Sequence, residues 1–224
     1  MQWERFKKLE YLCATQDGSK ACVVLFHGYG ADANDLASLH RVFQFKEPVD
    51  WFFPQGVYEV PISPMMSGRA WFHLRVSDFE RLSEGDSQQI QLNSDIQSVL
   101  TQVKDWLNHL GKQYDKVIFG GFSQGAILSS HVFYQLNFAP KALLLLSGFL
   151  VAPSAFPTIP DIQKVPFFQS HGTQDPVLPV GGARKLFDKL SDMGLKGQWV
   201  PFSGGHEIPM NVIADLQKFL QLNL

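Results

Sequence analysis

Short, continuously apolar runs alternate along the chain with longer stretches in which apolar residues recur every three or four positions. The runs ACVVLF (21–26), DWFFP (50–54), KVIFGG (116–121), KALLLLSG (141–148), VPFFQS (165–170) and GQWVPF (197–202) do not alternate apolar with polar. Strands covered on both faces, as in parallel sheets, have this pattern. Between them the spacing predicts helices over 35–45, 88–110, 124–136, 180–193 and 208–222. In the longest, Leu92, Ile96, Val99, Leu100, Val103, Trp106, Leu107 and Leu110 form one apolar helical face. Segment 7–20, KKLEYLCATQDGSK, predicts one or two antiparallel edge strands turning at Asp17-Gly18.

Alternation of this kind predicts an α/β fold, a mostly parallel central sheet with helices on both faces. Its strand C-termini then line one edge, where such sheets bind ligands. Two segments break the pattern. Segment 54–87 reads as a long, irregular connection, and segment 149–163 is proline-rich. The first carries Tyr58, Ile62, Met65, Met66, Trp71 and Phe72, an apolar content that argues against disorder and for a cover or pocket wall.

A chain of 224 residues with 45% apolar content suits one domain, residues 1–224, with a sizeable core. Its 19 phenylalanines fit either a Phe-rich core or an apolar cleft of acyl size, and composition does not choose between them. The net charge of −2 and the lack of a basic block argue against nucleic acid as a partner. Cys13 and Cys22 have no metal or redox spacing and read as buried free thiols. The start, MQWERFKKLE, has no apolar signal-peptide core. The longest apolar run, 142–152, is about half the length of a membrane-spanning helix. The expectation is a cytoplasmic protein without stable membrane insertion; oligomeric state is left open.

Candidate chemistry centres on GGFSQGA (120–126), directly after the run KVIF. Ser123 stands between Gly121 and Gly125, the G-x-S-x-G spacing of a strained strand-to-helix turn that lifts a serine hydroxyl out of the fold. The plain alternative is a glycine-rich turn whose serine caps the next helix. A hydroxyl is a weak nucleophile without a base, and the base needs an acid to orient it. In the elbow arrangement the chain order is serine, acid, histidine. HGTQDPVLP (171–179) follows one predicted strand and offers Asp175; SGGHEIP (203–209) follows the next and offers His206. Asp161 and Asp192 are rival acids, in the proline-rich segment and near a helix end. His171 precedes the acid and breaks the order, while His109 and His131 fall in or near helices. Asp175 before Pro176 also fits a plain turn.

Acyl transfer needs donors for the developing oxyanion. The N–H of Gln124, at the start of the following helix, is one candidate. The N–H of Tyr29, in the loop FHGYGADAND (26–35) after an early strand, is the other. GYGADA there is also a loose dinucleotide fingerprint, but its acidic partner, Asp50, sits at the wrong strand end. Met210 occupies the place of the second histidine in H-E-x-x-H, and no Cys/His cluster has metal spacing.

FHGYGAD, GFSQGA, SHGTQDPVLP and GGHEIP, in this order, resemble the phospholipase/carboxylesterase family of small α/β-hydrolases, over about 21–220. GRAWF (68–72) is similar to the family's segment ahead of the long helix. The resemblance implies an α/β-hydrolase fold without a large cap domain. It implies Ser123 as nucleophile, His206 as base, Asp175 as its orienter, and oxyanion N–H groups at Tyr29 and Gln124. It further implies cofactor-free hydrolysis of small carboxylic esters, lysophospholipids or S-acylated proteins. The loop 54–87 would border the acyl site, with Trp71, Met65, Met66 and Phe72 against the acyl chain; the same side chains also fit an ordinary core. Tyr29 replaces the leucine common in the family, which reshapes the site entrance but spares the backbone donor. A non-catalytic binding module on the same fold is the alternative from another class.

Overall fold

A computed structural model describes residues 1–74, 95–151 and 164–224. The central sheet has eight strands: β1 (Gln2–Phe6), β2 (Leu9–Ala14), β3 (Ala21–Phe26), β4 (Val49–Pro54), β7 (Lys116–Phe122), β8 (Ala142–Leu146), β9 (Pro166–Gly172) and β10 (Lys196–Phe202). Their order is β1-β2-β4-β3-β7-β8-β9-β10. From β4 to β10 every pairing is parallel; β2 joins β4, and β1 joins β2, antiparallel. All six predicted apolar runs are strands of this sheet.

Both faces are covered, which is why those runs are unbroken. Along β3, Cys22, Val24 and Phe26 enter one core cluster while Ala21, Val23 and Leu25 enter the other. On the first face lie α2 (Asp95–Gln113), α3 (Gln124–Phe133) and α4 (Val180–Asp192). The predicted stripe Ile96, Val99, Leu100, Val103, Trp106, Leu107 and Leu110 of α2 is buried there. α3 is buried along its whole length, its Ser129 and Ser130 hydroxyls donating to the carbonyls of Gly125 and Ile127. The second face is closed by α1 (Leu39–Val42) and α5 (Met210–Asn223), with Val212, Leu216, Phe219 and Leu220 facing the sheet. Cys13 and Cys22 are buried free thiols, as expected.

Three expectations are corrected. The predicted helix 35–45 is a helix only over Leu39–Val42. Before it, three-residue turns run from Asp32 to Leu39 (Asp35 N–H to Asp32 O 3.1 Å, Ala37 N–H to Asn34 O 3.2 Å), and the Asp32 carboxylate captures the Asn34 N–H at 2.8 Å. Short polar side chains that bond local backbone compete with helix in this way. The N-terminal hairpin turns at Lys7-Lys8, between Phe6 and its partner Leu9, with Lys7 at φ 54°. Asp17-Gly18 lies instead in the connection from β2 to β3. Within 54–87, residues 58–70 are a hairpin rather than an irregular connection: β5 (Tyr58–Ser63) pairs antiparallel with β6 (Met66–Ala70). The remainder of that segment from 75 onward, the start of the predicted helix 88–110, and 152–163 lie outside the described residues.

Candidate active site

The six parallel strands β4, β3, β7, β8, β9 and β10 end along one edge of the sheet, and Tyr29, Ser123, Asp175 and His206 lie in segments just past the ends of β3, β7, β9 and β10. Ser123 follows β7 at φ 54° and ψ −117°, a conformation that L-residues with a side chain rarely adopt. The strain is held by neighbours that leave no room for relaxation. A β-carbon on Gly121 would come within 2.4 Å of Phe26 O, and one on Gly125 within 2.1 Å of the same oxygen. The glycines two before and two after the serine therefore let β7 and α3 press against the end of β3. The Ser123 N–H is tied to Leu146 O of β8 at 2.9 Å. Its side chain makes no hydrogen bond to the helix it precedes, so the capping alternative fails.

Asp175 and His206 come together. His206 Nδ1 lies 2.7 Å from Asp175 Oδ2. The other carboxylate oxygen, Oδ1, accepts the N–H groups of Val177 and Leu178, both at 2.8 Å. Asp175 thus does build a turn, with one oxygen, and orients the imidazole with the other. Burial alone would raise the Asp175 pKa; the hydrogen bonds from His206, Leu178 and Val177 together outweigh it and hold the carboxyl below its usual value. Because a carboxylate only accepts, Nδ1 of His206 carries the proton and Nε2 offers its lone pair. The His206 ring leans on Phe122, the residue before Ser123, with ring centroids 4.8 Å apart. Among the described residues no hydrogen bond joins His206 to Ser123 Oγ; contacts of this kind tighten when substrate binds.

The rival residues are placed elsewhere. His171 is fully buried behind Asp175, its Nε2 2.7 Å from Leu178 O and 3.3 Å from Asp175 Oδ2. His131 is buried inside α3, and His109 stacks on Phe6. Asp192 ends α4, and Asp161 lies outside the described residues. Asp50 is at the start of β4, accepting from Gln16 N–H and the Tyr114 hydroxyl, across the sheet from the loop at Tyr29.

Tyr29 lies in the loop after β3, close to the serine: a β-carbon on neighbouring Gly28 would sit 3.3 Å from Ser123 Cβ. Gln124 opens α3, where the first N–H groups have no partner within the helix. The expected acyl contacts are corrected in part. Trp71 and Phe72 are 0% and 1% exposed. Their rings pack into the core, and the Trp71 indole N–H is spent on His27 O at 2.9 Å, so neither presents surface to a ligand. Met65 and Met66 stand at the tip of the β5–β6 hairpin, 97% and 59% exposed.

A cavity of about 300 Å³ opens beside His206, lined by Leu36, Leu39, Phe122 and Ile208, with Asp35 and Glu207. A larger one, about 460 Å³, lies between Phe45, Val49 and Leu224 at the opposite sheet edge, remote from these residues.

The sequence reading missed how histidines pack this edge. His27 accepts the Gly56 N–H at Nε2 (3.0 Å), which leaves Nδ1–H to donate to Gly28 O (2.7 Å). Burial pushes its pKa down to about 4, and does the same to His131. His171 is lowered too, again chiefly by burial. In the unfolded chain these imidazoles take up protons near pH 6.5 that the folded protein refuses. Stability is therefore full above about pH 7 and falls as pH drops from about 6.5 towards 4, by roughly 3 kcal/mol for each fully shifted histidine. Below about pH 4 the depressed Asp175 adds a further loss. Urea midpoints at pH 7.5 and pH 5 should show a clear decrease; equal midpoints would contradict the assignment of neutral, buried histidines.

The sequence pattern of the Phospholipase/Carboxylesterase family matches residues 9–224. Acyl-protein thioesterase 1 of Debaryomyces hansenii is 22% identical over 221 residues, covering 93% of this chain and 94% of that protein. The enzyme of the same name from Emericella nidulans is 27% identical over 224 residues, with 89% of each chain covered. Among solved structures, esterase PE8 superposes with a TM-score of 0.75 at 27% identity, covering 96% of this chain and 97% of that one. The Bacillus cereus carboxylesterase shares the fold, with a TM-score of 0.75 at 15% identity over 97% and 96% of the two chains.

Proposed function

The chain belongs to the phospholipase/carboxylesterase family, and from that premise we propose that residues 1–224 form a single serine-hydrolase domain cleaving esters or thioesters of apolar acyl chains. One observation carries the reading: Asp175 holds His206 at 2.7 Å on the same sheet edge as a strained, uncapped Ser123. His206 Nε2 takes the proton of Ser123 Oγ as the oxygen attacks the acyl carbon. The carbonyl electron pair moves onto oxygen, and the N–H groups of Tyr29 and Gln124 receive that charge. Collapse of the tetrahedral species expels the alcohol or thiol, protonated by His206, and leaves the acyl group on Ser123. A water molecule, deprotonated by His206, then attacks the acyl carbon; Ser123 Oγ leaves and regains its proton. No step calls for a metal or cofactor.

Names of relatives favour S-acylated proteins and small carboxylic esters as substrates, with lysophospholipids as a further class. Among the described residues no helix is long and apolar enough to cross a membrane. The proposed location is the cytoplasm, which the two buried free thiols fit. Met65 and Met66 are its candidates for contact with the acyl chain.

Hydrolysis of p-nitrophenyl esters of two to twelve acyl carbons, of an S-acylated cysteine peptide and of a lysophosphatidylcholine tests the substrate class. The expected result is turnover of esters and thioester with one preferred chain length. Lack of turnover on all of them would overturn the reading in favour of a binding module. Asp175→Asn tests the orienter. An amide facing His206 Nδ1 favours the wrong tautomer, so kcat should fall about 10⁴-fold with KM little changed; a loss under tenfold would remove Asp175 from this role.

A further inference from the structure

The two proposed oxyanion donors sit on segments far apart in sequence, and the structure joins them through one side chain. Gln124 is 2% exposed, and its carboxamide is not left free for a ligand. Instead Oε1 accepts the N–H of Trp71 at 2.9 Å, and Nε2 donates to the carbonyl of Phe72 at 2.7 Å. These two residues directly follow β6. The same short stretch grips the loop that carries Tyr29 from both sides. Trp71 Nε1–H bonds His27 O at 2.9 Å, before Tyr29. After Tyr29, the Gly30 N–H bonds Arg69 O and the Arg69 N–H bonds Ala31 O, each at 2.8 Å. The chain of contacts runs from the Gln124 carboxamide to Trp71 and Phe72, from Trp71 to the flank before Tyr29, and from neighbouring Arg69 to the flank after it.

We infer that the Gln124 side chain is a positioning residue that holds the Tyr29 N–H in register with the Gln124 N–H, so that both point at one oxyanion. The inference rests on the hydrolase reading above. Buried carboxamides need both partners, since an unpaired amide in a closed site is costly. Here both partners belong to the strand end that fixes the other donor. An oxyanion site depends on sub-ångström placement, and a shift of about 1 Å costs on the order of a hundredfold in rate.

The test compares Gln124→Met, which keeps length and volume but loses both hydrogen bonds, with Trp71→Phe, which deletes the bond to His27 O and trims the buried ring but keeps both partners of the Gln124 carboxamide. Both are assayed on p-nitrophenyl butanoate, alongside the affinity for an alkyl trifluoromethyl ketone, whose adduct places an oxyanion on the same donors. In Gln124→Met, kcat should fall about ten- to a hundredfold with KM within about twofold, and ketone affinity should fall in parallel with kcat/KM. Trp71→Phe should show the same split at smaller size. A purely structural role would lower the melting temperature while leaving kcat and ketone affinity per folded molecule unchanged, and that result would overturn the inference. If Gln124→Met does not fold, Trp71→Phe alone decides: unchanged kcat and ketone affinity reject the register role. Ser123→Ala separates the two levels. If it retains activity, the hydrolase reading itself fails; if it is inactive while both other variants are fully active, only the inference about Gln124 does.

Discussion

Ser123→Ala should lower kcat for ester hydrolysis by about 10⁶-fold, and His206→Ala by a similar factor. The double variant should be no slower than either single one. Serine and histidine act as a unit: without the base, the hydroxyl is not deprotonated, and without the hydroxyl, the base has nothing to activate. The remaining rate over water would come from donors at Tyr29 and Gln124 and from binding alone. The structural cost of Ser123→Ala should be slight, because Oγ makes no capping bond; His206→Ala takes the imidazole partner from the buried Asp175 carboxylate, so its rate is compared per folded molecule. Single-turnover assays of the three variants check this. Losses that multiply in the double variant would mean that the two residues act independently.

Gly125→Ala should disturb the fold and the serine turn together. The new β-carbon would meet Phe26 O at 2.1 Å, Phe26 C at 2.5 Å and His27 O at 2.7 Å, all backbone atoms that cannot rotate away. Either α3 moves off the end of β3 or the loop carrying Tyr29 moves off the elbow. Overpacking against backbone of this kind costs about 3 kcal/mol or more. Any displacement separates Ser123 from the proposed donors, so kcat should fall at least about a hundredfold in the fraction that remains folded. Urea unfolding with a parallel rate measurement checks both. A variant with native midpoint and native kcat would show that the close approach of β3 and α3 is not required.

How much of this was legible in the sequence follows from where each signal resides. The six central strands were readable because burial on both faces leaves unbroken apolar runs, as in ALLLL of β8. The β5–β6 hairpin was not. Its two-stranded sheet is mostly exposed, Pro61 interrupts one strand, and MSGRA of β6 has neither β-branched residues nor alternation. The Lys7-Lys8 turn carries no Gly, Asn or Asp to announce it. At the proposed site, the gathering of Ser123, Asp175 and His206 at one sheet edge could be anticipated because chain order and strand ends constrain it. Placement of Trp71 in the core rather than at the acyl site could not, since an aromatic residue beside a loop reads alike in both roles. The hydrogen bonds of the Gln124, His27 and His171 side chains run to backbone of distant segments, which periodicity does not register. One clue was present: a carboxamide opening a fully buried helix must find partners in the interior.

In the proposed reaction the acyl group passes through Ser123. Rapid quenching of the enzyme with p-nitrophenyl butanoate in acid, followed by intact-mass measurement and peptide mapping, tests this directly. The predicted result is one butanoyl group per chain, carried on the peptide containing GFSQGA at Ser123, and its absence in Ser123→Ala. Steady ester turnover without an adduct, or with the adduct on another residue, would contradict the account.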